Sequence, residues 1–488
     1  MSDDVTRHHG ESPQEFDSAV AVEADPAPSA GAEAFEQSAP AIPLTLADTG
    51  LSGSLVADLI LKMLYDRGAM GGQQLRSAIK LPFGILDEQL MDMQQRRFVE
   101  VRGTTGQSRA TYIFDLTSAG RERARELLAT NGYVGPAPVP LERYAAWVES
   151  QTIKGIVVTA EGIRDGFSHL VYPEHFLDQL GPAINSGLSL FLYGHSGNGK
   201  TTIAEAIAQM LGGAVYLPYA LEVTGQIVVL YDPVYHHPAE GEDENLEDDP
   251  FGDHPLFHEV APHDARYARI RRPVVFVGGE LALEQLDLQY DPDSRVYQAP
   301  SHVKANGGVF IIDDFGRQHV RPRDLLNRWM VPLEKRVDYL SFKNGYKFPI
   351  PFDCMLIFAT NLNPLELVDE AFLRRIRYKI LVESPNRAQY DEIFRRCCES
   401  RHIPFQRERV DHVFRNYYER LQMAPRGCHP RDIVDTVCNV SKYKRVPPSL
   451  DLEILNEACR SYFLDMPGGG SMVSGAGAWS AEEDIDSP

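Results

Sequence analysis

Residues 194–201 limit the possible folds of this chain more than any other segment, because they read Gly-His-Ser-Gly-Asn-Gly-Lys-Thr and fit G-x-x-x-x-G-K-[ST] at every fixed position. Glycines at this spacing let the backbone curl so that successive N–H groups point inward at phosphate oxygens. The apolar run Leu188–Tyr193 precedes this loop, and the amphipathic stretch Thr202–Leu211 follows it. A strand, a glycine-rich loop and a helix is the order that phosphate binding requires. The sequence therefore predicts a P-loop α/β fold.

Nine residues are predicted to hold the phosphates of a bound nucleotide. They are Gly194, His195, Ser196, Gly197, Asn198, Gly199, Lys200, Thr201 and Thr202. Lys200 is expected to reach the β- and γ-phosphates, and the Thr201 hydroxyl is expected to bind Mg²⁺. The predicted cofactors are therefore ATP and Mg²⁺. The alternative is an ordinary glycine-rich turn, which the matching strand and helix on either side disfavour.

A second polar site follows the apolar run Val309–Ile312, where Asp313 and Asp314 come directly after a predicted buried strand. Ligands of open α/β sheets bind at this carboxyl edge. Asp313 is predicted to hold Mg²⁺, directly or through water, and Asp314 to act as the base or to polarise the attacking water. Packing alone does not explain two adjacent acids here, because burying an unpaired carboxylate is costly.

A third candidate is Asn361, which follows the apolar run Met355–Thr360. If this strand pairs beside the strand that ends at Asp313, the amide lies close enough to orient the attacking water. The alternative is a turn-forming asparagine, reinforced by the following Asn363-Pro364. The residues that contact adenine are not identified, although Gly162–Tyr172 are expected near the base from their position alone.

Composition and periodicity divide the chain into six segments. They are a disordered acidic tail (1–48), a winged-helix-like domain (50–132), a linker (133–150), an α/β nucleotide-binding domain (151–383) with an acidic loop (239–253), an α-helical lid (384–465) and a flexible tail (466–488). The first 48 residues are rich in Ala, Pro, Ser, Glu and Asp, with Arg7 the one basic side chain. Such a composition buries too little apolar surface to offset chain entropy.

Charge argues against DNA as the ligand of the 50–132 unit. The whole chain has 48 basic and 69 acidic residues, a net charge of −21. The predicted reading helix carries Asp87, Glu88 and Asp92 beside Arg96 and Arg97. Because base-reading helices need positive charge facing the phosphates, protein or small-ligand binding is favoured over DNA binding.

The order of the motifs resembles that of the AAA+ ATPases. In such proteins a phosphate loop, an acidic strand and a sensor asparagine are followed by an arginine-bearing helix and a helical lid with a second sensor. Within Glu370–Ile376, Arg375 matches the arginine finger best and Arg374 is its rival. Arg431, in His429–Asp432, resembles the second sensor. Without the other motifs, the arginines at 374 and 375 would be interpreted as a surface basic cluster.

Further segments resemble two particular groups within the AAA+ ATPases. Leu333–Val337 is similar to MoxR-like AAA+ proteins. Tyr172–Thr202, Gly278–Glu280 and Gly307–Leu340 resemble a bacterial group described as ATPases with chaperone activity associated with Flp-type pilus assembly. The resemblance implies an ATPase that remodels or assembles a protein partner as a homo-hexamer, with Arg375 acting on the nucleotide of a neighbouring subunit.

One residue departs from the family pattern, since Asp314 stands where most AAA+ proteins carry Glu. The side chain is shorter by one methylene, and a displacement of about 1 Å can change a rate about a hundredfold. A slow ATP-dependent binding switch is therefore one alternative function. A nucleotide-dependent DNA-binding regulator that uses the winged-helix-like domain is another.

The remaining signals favour a cytoplasmic protein. No run approaches the roughly 18 consecutive apolar residues of a membrane helix, and the N-terminus has no secretory pattern, so direct membrane insertion is not expected. The six cysteines show no C-x-x-C spacing and are interpreted as reduced thiols. The protein client is not identified by any residue.

Overall fold

The computed structural model describes residues 39–239, 263–367 and 370–463. The predicted flexible tail at 466–488, nearly all of the acidic loop, and residues 1–38 of the predicted N-terminal tail lie outside the described residues. In the described part of the chain, no helix is both long enough and apolar enough to cross a membrane.

A five-stranded parallel sheet forms the centre of the nucleotide-binding domain. In spatial order its strands are Val274–Val277, Val309–Ile312 (the acidic strand), Met355–Thr360 (the sensor strand), Leu190–Tyr193 and Tyr378–Leu381. The acidic and sensor strands are neighbours, with Val309 opposite Met355, as the sequence predicts. The first strand in the chain lies between the last two, so the strand order reverses at the phosphate loop, where such sheets bind ligands.

Alternate side chains of these strands enter two apolar cores. Leu190 and Leu192 belong to the core on one face, and Phe191 belongs to the core on the other. Both faces are covered because the sheet is parallel and its crossover connections place helices on each side. The helices of this domain are Ala160–Gly166, Glu174–Asn185, Lys200–Leu211, Ser301–Lys304, Pro322–Lys335, Pro364–Leu367 and Glu370–Leu373, with 3₁₀ turns at Ile153–Gly155 and Leu283–Leu286. The predicted P-loop α/β fold class is confirmed.

A second five-stranded sheet lies beside this core and is absent from the sequence prediction. Its strands, in spatial order, are Gln289–Asp291, Val296–Gln298, Gln226–Val229, Ala220–Val223 and Val139–Pro140. Two antiparallel pairs accompany it: Ala214–Pro218 with Tyr267–Arg271, and Val337–Ser341 with Lys347–Pro351. The strands of the second sheet have two to four residues, which is too short for an alternating pattern to be recognised.

The unit at 50–132 contains four helices and a three-stranded sheet. Its helices are Gly53–Arg67, Gly72–Ile79, Phe83–Gln95 and Ser118–Thr130, its 3₁₀ turn is Arg109–Thr111, and its strands are Met70–Gly71, Val99–Thr104 and Tyr112–Leu116. Ala220, Ile227 and Val296 of the second sheet belong to the same apolar core as Leu59 and Phe114 of this unit. The unit is therefore packed on the second sheet.

The predicted linker at 133–150 differs in the structure. It forms the strand Val139–Pro140 and the helix Leu141–Ser150. Leu141, Tyr144 and Val148 of this helix are buried against the second sheet. Leu141, Tyr144 and Val148 have the spacing of three and four residues that is typical of an amphipathic helix, but the Pro-rich residues 135–140 directly before them are typical of a linker.

The last residues of the predicted disordered tail are also structured. Leu46–Thr49 is a short helix capped by Thr45. Pro40 accepts a hydrogen bond from the backbone N–H of Asp264 at 2.9 Å, and Thr49 accepts one from the Arg266 guanidinium at 3.0 Å. Contacts with residues more than 200 positions away in the chain order this segment, so its own composition could not predict the outcome.

We predict that the buried pair Asp264–Arg266 stabilises this junction. Arg266 is 1% exposed, lies 2.7 Å from the Asp264 carboxylate, and also donates to the carbonyl of Pro138. Asp264→Ala leaves the guanidinium buried without its counter-charge, and the free energy of unfolding should fall by about 3–5 kcal/mol. Asp293→Ala, at an exposed aspartate, should change it by less than about 0.5 kcal/mol. Denaturant titration measures both, and equal small changes would contradict the prediction.

The regular secondary structure of the lid is entirely helical in the residues described. Its α-helices are Arg387–Ser400, Arg407–Val413, His429–Lys444 and Leu452–Tyr462, and the π-helical stretch Phe414–Glu419 continues the second of them. Tyr390, Phe394 and Val434 are among the residues of its separate apolar core.

Candidate nucleotide site

The phosphate loop (residues 194–201) depends on glycine where the backbone turns. Gly194, Gly197 and Gly199 have φ of +143°, +83° and +80°, which L-residues rarely adopt. A Cβ on Gly194 would lie 2.3 Å from the carbonyl oxygen of Val382, and one on Gly199 would lie 2.6 Å from the Tyr172 hydroxyl. Glycine is thus required in the loop both by the backbone conformation and by the lack of space for a side chain. The following helix begins directly at Lys200.

The ammonium group of Lys200 lies within the curl of the loop. Its Nζ donates to the carbonyl oxygens of Gly194 and His195, both at 3.0 Å. Lys200 is 8% exposed, and burial lowers its pKa, while the charges of Asp313 and Asp314 act in the opposite direction. The loop therefore holds a buried cation against its own carbonyl groups.

The two separate motifs meet at Thr201 and Asp313. The Thr201 hydroxyl donates to Oδ2 of Asp313 at 2.8 Å, although 112 positions separate the two residues. A hydroxyl beside a carboxylate fits Mg²⁺, which proteins usually bind through one or two carboxylates, with waters and substrate phosphates as the other ligands. In residues 39–239, 263–367 and 370–463, no group of three or more His, Cys, Asp or Glu side chains forms a metal site by itself.

Asp314 occupies a turn with an unusual backbone. Its φ is +46°, a region in which aspartate and asparagine are tolerated better than most residues. Gln318 stabilises this turn through its side-chain amide. Its Nε2 group donates to the carbonyls of Asp313 and Asp314 at 3.1 and 3.3 Å, and its Oε1 atom accepts from the backbone N–H of Gly316. Sequence analysis missed Gln318 because a glutamine that acts on backbone groups has no motif.

A cleft of about 670 Å³ opens between the sheet edge and the lid, which is within the usual range for small-molecule sites. Ten predicted site residues line it: Ser196, Gly197, Asn198, Gly199, Lys200, Thr201, Thr202, Asp313, Asp314 and Arg431. The predicted residues Gly194, His195, Asn361 and Arg375 are not among its lining residues. Gly194 and His195 instead supply the carbonyls that hold Lys200.

The cleft also contains residues that the sequence did not identify. Glu205 lines it one helical turn after Thr201, and burial followed by the charge of Asp313 raises the pKa of its carboxyl group. An apolar and aromatic wall comprises Leu170, Val171, Tyr172, Phe176, Leu381, Pro385 and Ile393. Part of this wall lies in the segment 162–172, which the sequence placed near the base by position.

Asn361 follows the sensor strand, and its Oδ1 atom is buried without a hydrogen-bond partner in the described part of the chain. An unpaired buried oxygen costs about 1–3 kcal/mol. The preceding Thr360 links the strand to the site, because its carbonyl accepts from the backbone of Gly194 at 3.2 Å. The role of Asn361 in orienting water stays a prediction.

The two predicted arginines occupy different places. Arg431 lines the cleft, is 68% exposed and pairs with the neighbouring Asp432 at 3.2 Å. The Arg375 side chain is 25% exposed and pairs with Glu334 at 2.5 Å. Its rival Arg374 is exposed. Arg375 does not line the cleft of its own chain, and its action on the nucleotide of a neighbouring subunit stays a prediction.

Comparison with known proteins gives limited matches. A family model described as a domain of unknown function, DUF8689, matches residues 386–461, which correspond to the lid. No curated protein matches the sequence significantly. Among solved structures, the Thermotoga maritima RuvB Holliday junction branch migration motor has 13% identity and a TM-score of 0.32, with 60% of this chain and 70% of that chain covered.

NtrX from Brucella abortus is a second similar structure, also at 13% identity, with a TM-score of 0.37 and coverage of 72% of this chain and 69% of that chain. Similarity at this level does not identify a function.

Proposed function

We propose that this protein is an ATPase of the AAA+ kind, which binds and hydrolyses Mg-ATP and uses the cycle to remodel or assemble a protein partner. The observation that supports this most is the 2.8 Å hydrogen bond between Thr201 and Asp313. It joins the helix that begins at the phosphate loop to the end of the acidic strand, which is the arrangement that a magnesium–triphosphate complex requires.

The residues of the cleft have separable roles in this proposal. Lys200 exchanges its two loop carbonyls for phosphate oxygens when a triphosphate enters. Thr201 and Asp313 would hold Mg²⁺, which when bound neutralises charge that develops on the phosphates. Asp314 accepts the proton of the attacking water, and Asn361 orients that water.

The two arginines complete the proposed site. Arg431 approaches the γ-phosphate from the lid of the same subunit. Arg375 approaches it from a neighbouring subunit, and an arginine in this role contributes about 10³–10⁵ to the rate. Turnover per subunit should therefore rise with protein concentration as the proposed hexamer assembles, and a stable monomer with concentration-independent turnover would exclude the role of Arg375.

A protein is the proposed client, recruited in the cytoplasm by the winged-helix-like unit. Arg109, between the strands Val99–Thr104 and Tyr112–Leu116, is paired with Asp87 of the helix Phe83–Gln95 at 2.7 Å, so its charge is partly neutralised. With a net charge of −21, the chain presents little attraction for a phosphate backbone. The link to Flp-type pilus assembly is supported by the sequence resemblance alone.

The client can be sought with paired variants of the full-length chain. Asp314→Asn should trap bound ATP, and Lys200→Ala should not hold the nucleotide. Proteins that co-purify with the first variant and not with the second are candidate clients. Retention of the same full-length chain on DNA at low salt, lost at high salt, would favour the DNA-binding regulator instead.

A slow ATP-dependent switch is a second candidate, favoured by the short Asp314 side chain on its left-handed turn. In a switch, the ATP-bound state lasts long enough to recruit a partner. Single-turnover kinetics of Asp314→Glu separate the two functions, since a large gain in the hydrolysis rate indicates a switch and a loss indicates an already competent motor.

A further inference from the structure

The side chain of Asn198 lies at a junction of three chain segments. Its Nδ2 group donates to the Ser384 hydroxyl at 3.2 Å and to the Val382 carbonyl at 3.4 Å, in the connector (residues 382–384) between sheet and lid. Its Oδ1 atom accepts from the backbone N–H of Gly427, in the lid, at 3.3 Å. Asn198 is 4% exposed, so its amide is committed to groups outside the phosphate loop.

The neighbouring residues continue this contact between loop and lid. The backbone N–H of Cys428 donates to the carbonyl of Gly197 at 2.8 Å, and the guanidinium of Arg426 donates to the carbonyl of Ser196 at 3.3 Å. Three consecutive lid residues (426–428) thus bond to three consecutive loop residues (196–198). The helix His429–Lys444 starts immediately after them, with Arg431 in its first turn.

We propose that Asn198 is a positioning residue that couples the phosphate loop to the lid through Gly427, so that occupancy of the loop sets the position of Arg431. This inference rests on the proposed ATP site. A triphosphate that attracts Lys200 frees the carbonyls of Gly194 and His195. The loop then readjusts one or two residues before the segment 196–198, which is bonded to the lid.

The lid side of the contact offers a variant that leaves every loop residue unchanged. A Cβ on Gly427 would lie 3.3 Å from the carbonyl oxygen of Gly197 and 3.5 Å from the Cα of Asn198. Gly427 is not among the residues with positive φ, so a side chain is compatible with its backbone. Gly427→Val should therefore separate the lid from the loop, and Gly427→Ala should do so to a smaller extent.

Cys428 reports on this contact directly. Its sulfur is packed on the loop, since a Cβ on Gly197 would lie 2.5 Å from it. In the nucleotide-free full-length chain, we expect Asn198→Ala and Gly427→Val each to raise the rate of Cys428 alkylation by N-ethylmaleimide at least about tenfold, the effect of losing one or two neutral hydrogen bonds. Mass spectrometry of peptides resolves Cys428 from Cys398 and Cys459, which are buried in the lid core.

Alkylation has two clear outcomes. Faster reaction at Cys428, with Cys398 and Cys459 unchanged, supports the proposal. An unchanged rate at Cys428, or a rise at all three cysteines that indicates an unfolded lid in both variants, overturns it. Because no nucleotide is present, this result stands even if the protein proves not to hydrolyse ATP, so the two failures are distinguishable.

Steady-state kinetics distinguish a role of Asn198 in coupling the phosphate loop to the lid from a role in stabilising the loop alone. Gly427→Val should lower kcat about tenfold while the Kd for Mg-ATP changes by less than about threefold. Arg431→Ala should lower kcat in the wild type and have little further effect in the Asn198→Ala background, because residues that act through one contact are not additive. Independent, multiplying effects of the two substitutions would show that Asn198 supports only its own loop.

Discussion

Arg375→Ala is expected to lower the ATP turnover of the full-length protein by about 10³-fold, while the Kd for Mg-ATP stays within about threefold. The physical reason is that the guanidinium stabilises charge on the transferring phosphoryl group and contributes little to ground-state binding. The matched control is Arg374→Ala, since this neighbouring arginine is exposed and is expected to cost far less.

Mixing variants tests whether Arg375 acts between subunits. An Arg375→Ala subunit retains Asp314, and an Asp314→Asn subunit retains Arg375, so a mixed oligomer contains interfaces with both groups intact. Turnover should therefore recover on mixing two inactive proteins. Wild-type turnover of Arg375→Ala alone, or no recovery in oligomers shown to be mixed, would contradict the proposed role.

Asp314→Asn should lower turnover by about 100-fold or more and leave Mg-ATP affinity nearly unchanged, because positioned acid–base groups contribute about 10²–10⁴ to a rate. Asparagine is the appropriate substitute, since it tolerates the φ of +46° at this position. Asp314→Ala removes the same carboxylate but adds backbone strain of roughly 1–2 kcal/mol, so thermal unfolding should distinguish the variants. Equal turnover of wild type and Asp314→Asn would assign the base to another residue, and the nearby carboxylate of Glu205 is the first to test.

The sequence predicts those parts of the site whose chemistry depends on short contiguous motifs. Residues 194–201 must curl tightly, and only certain residue types at fixed spacing permit this. Asp313 follows an apolar strand, and parallel strands bring their carboxyl ends to one edge. From these two facts the meeting of Thr201 and Asp313 follows without any knowledge of the loops between them.

The parts that the sequence could not predict depend on contacts between distant segments. Gln318 acts on backbone carbonyls, and the Asn198 amide bonds to Ser384 and Gly427, which follow it by 186 and 229 positions. Thr49, at the end of the segment 39–49, is bonded to the buried side chain of Arg266, which follows it by 217 positions. None of these relationships has a periodic or compositional signal in its own segment.

The fold likewise has parts with a local sequence signal and parts that depend on contacts between distant segments. The three inner strands of the central sheet, Leu190–Tyr193, Val309–Ile312 and Met355–Thr360, were recognisable because burial on both faces makes each of them a continuous apolar run. The edge strands Val274–Val277 and Tyr378–Leu381 were not predicted, since each has exposed positions. The second sheet was missed because its strands have only two to four residues and come from three separated parts of the chain, 139–140, 220–229 and 289–298. Its burial against the winged-helix-like unit and the helix Leu141–Ser150 is a tertiary effect.

The most direct measurement is a calorimetric titration of the full-length protein with ATP, in the presence and absence of Mg²⁺, for the wild type and for Lys200→Glu. We predict magnesium-dependent binding by the wild type and a loss of affinity of about 100-fold or more in the variant, since a buried ammonium that meets the phosphates is replaced by a carboxylate. Melting curves of the two proteins verify that the variant is folded. Absence of magnesium-dependent ATP affinity in the wild type, or equal affinity in a folded Lys200→Glu, would contradict the proposed nucleotide site.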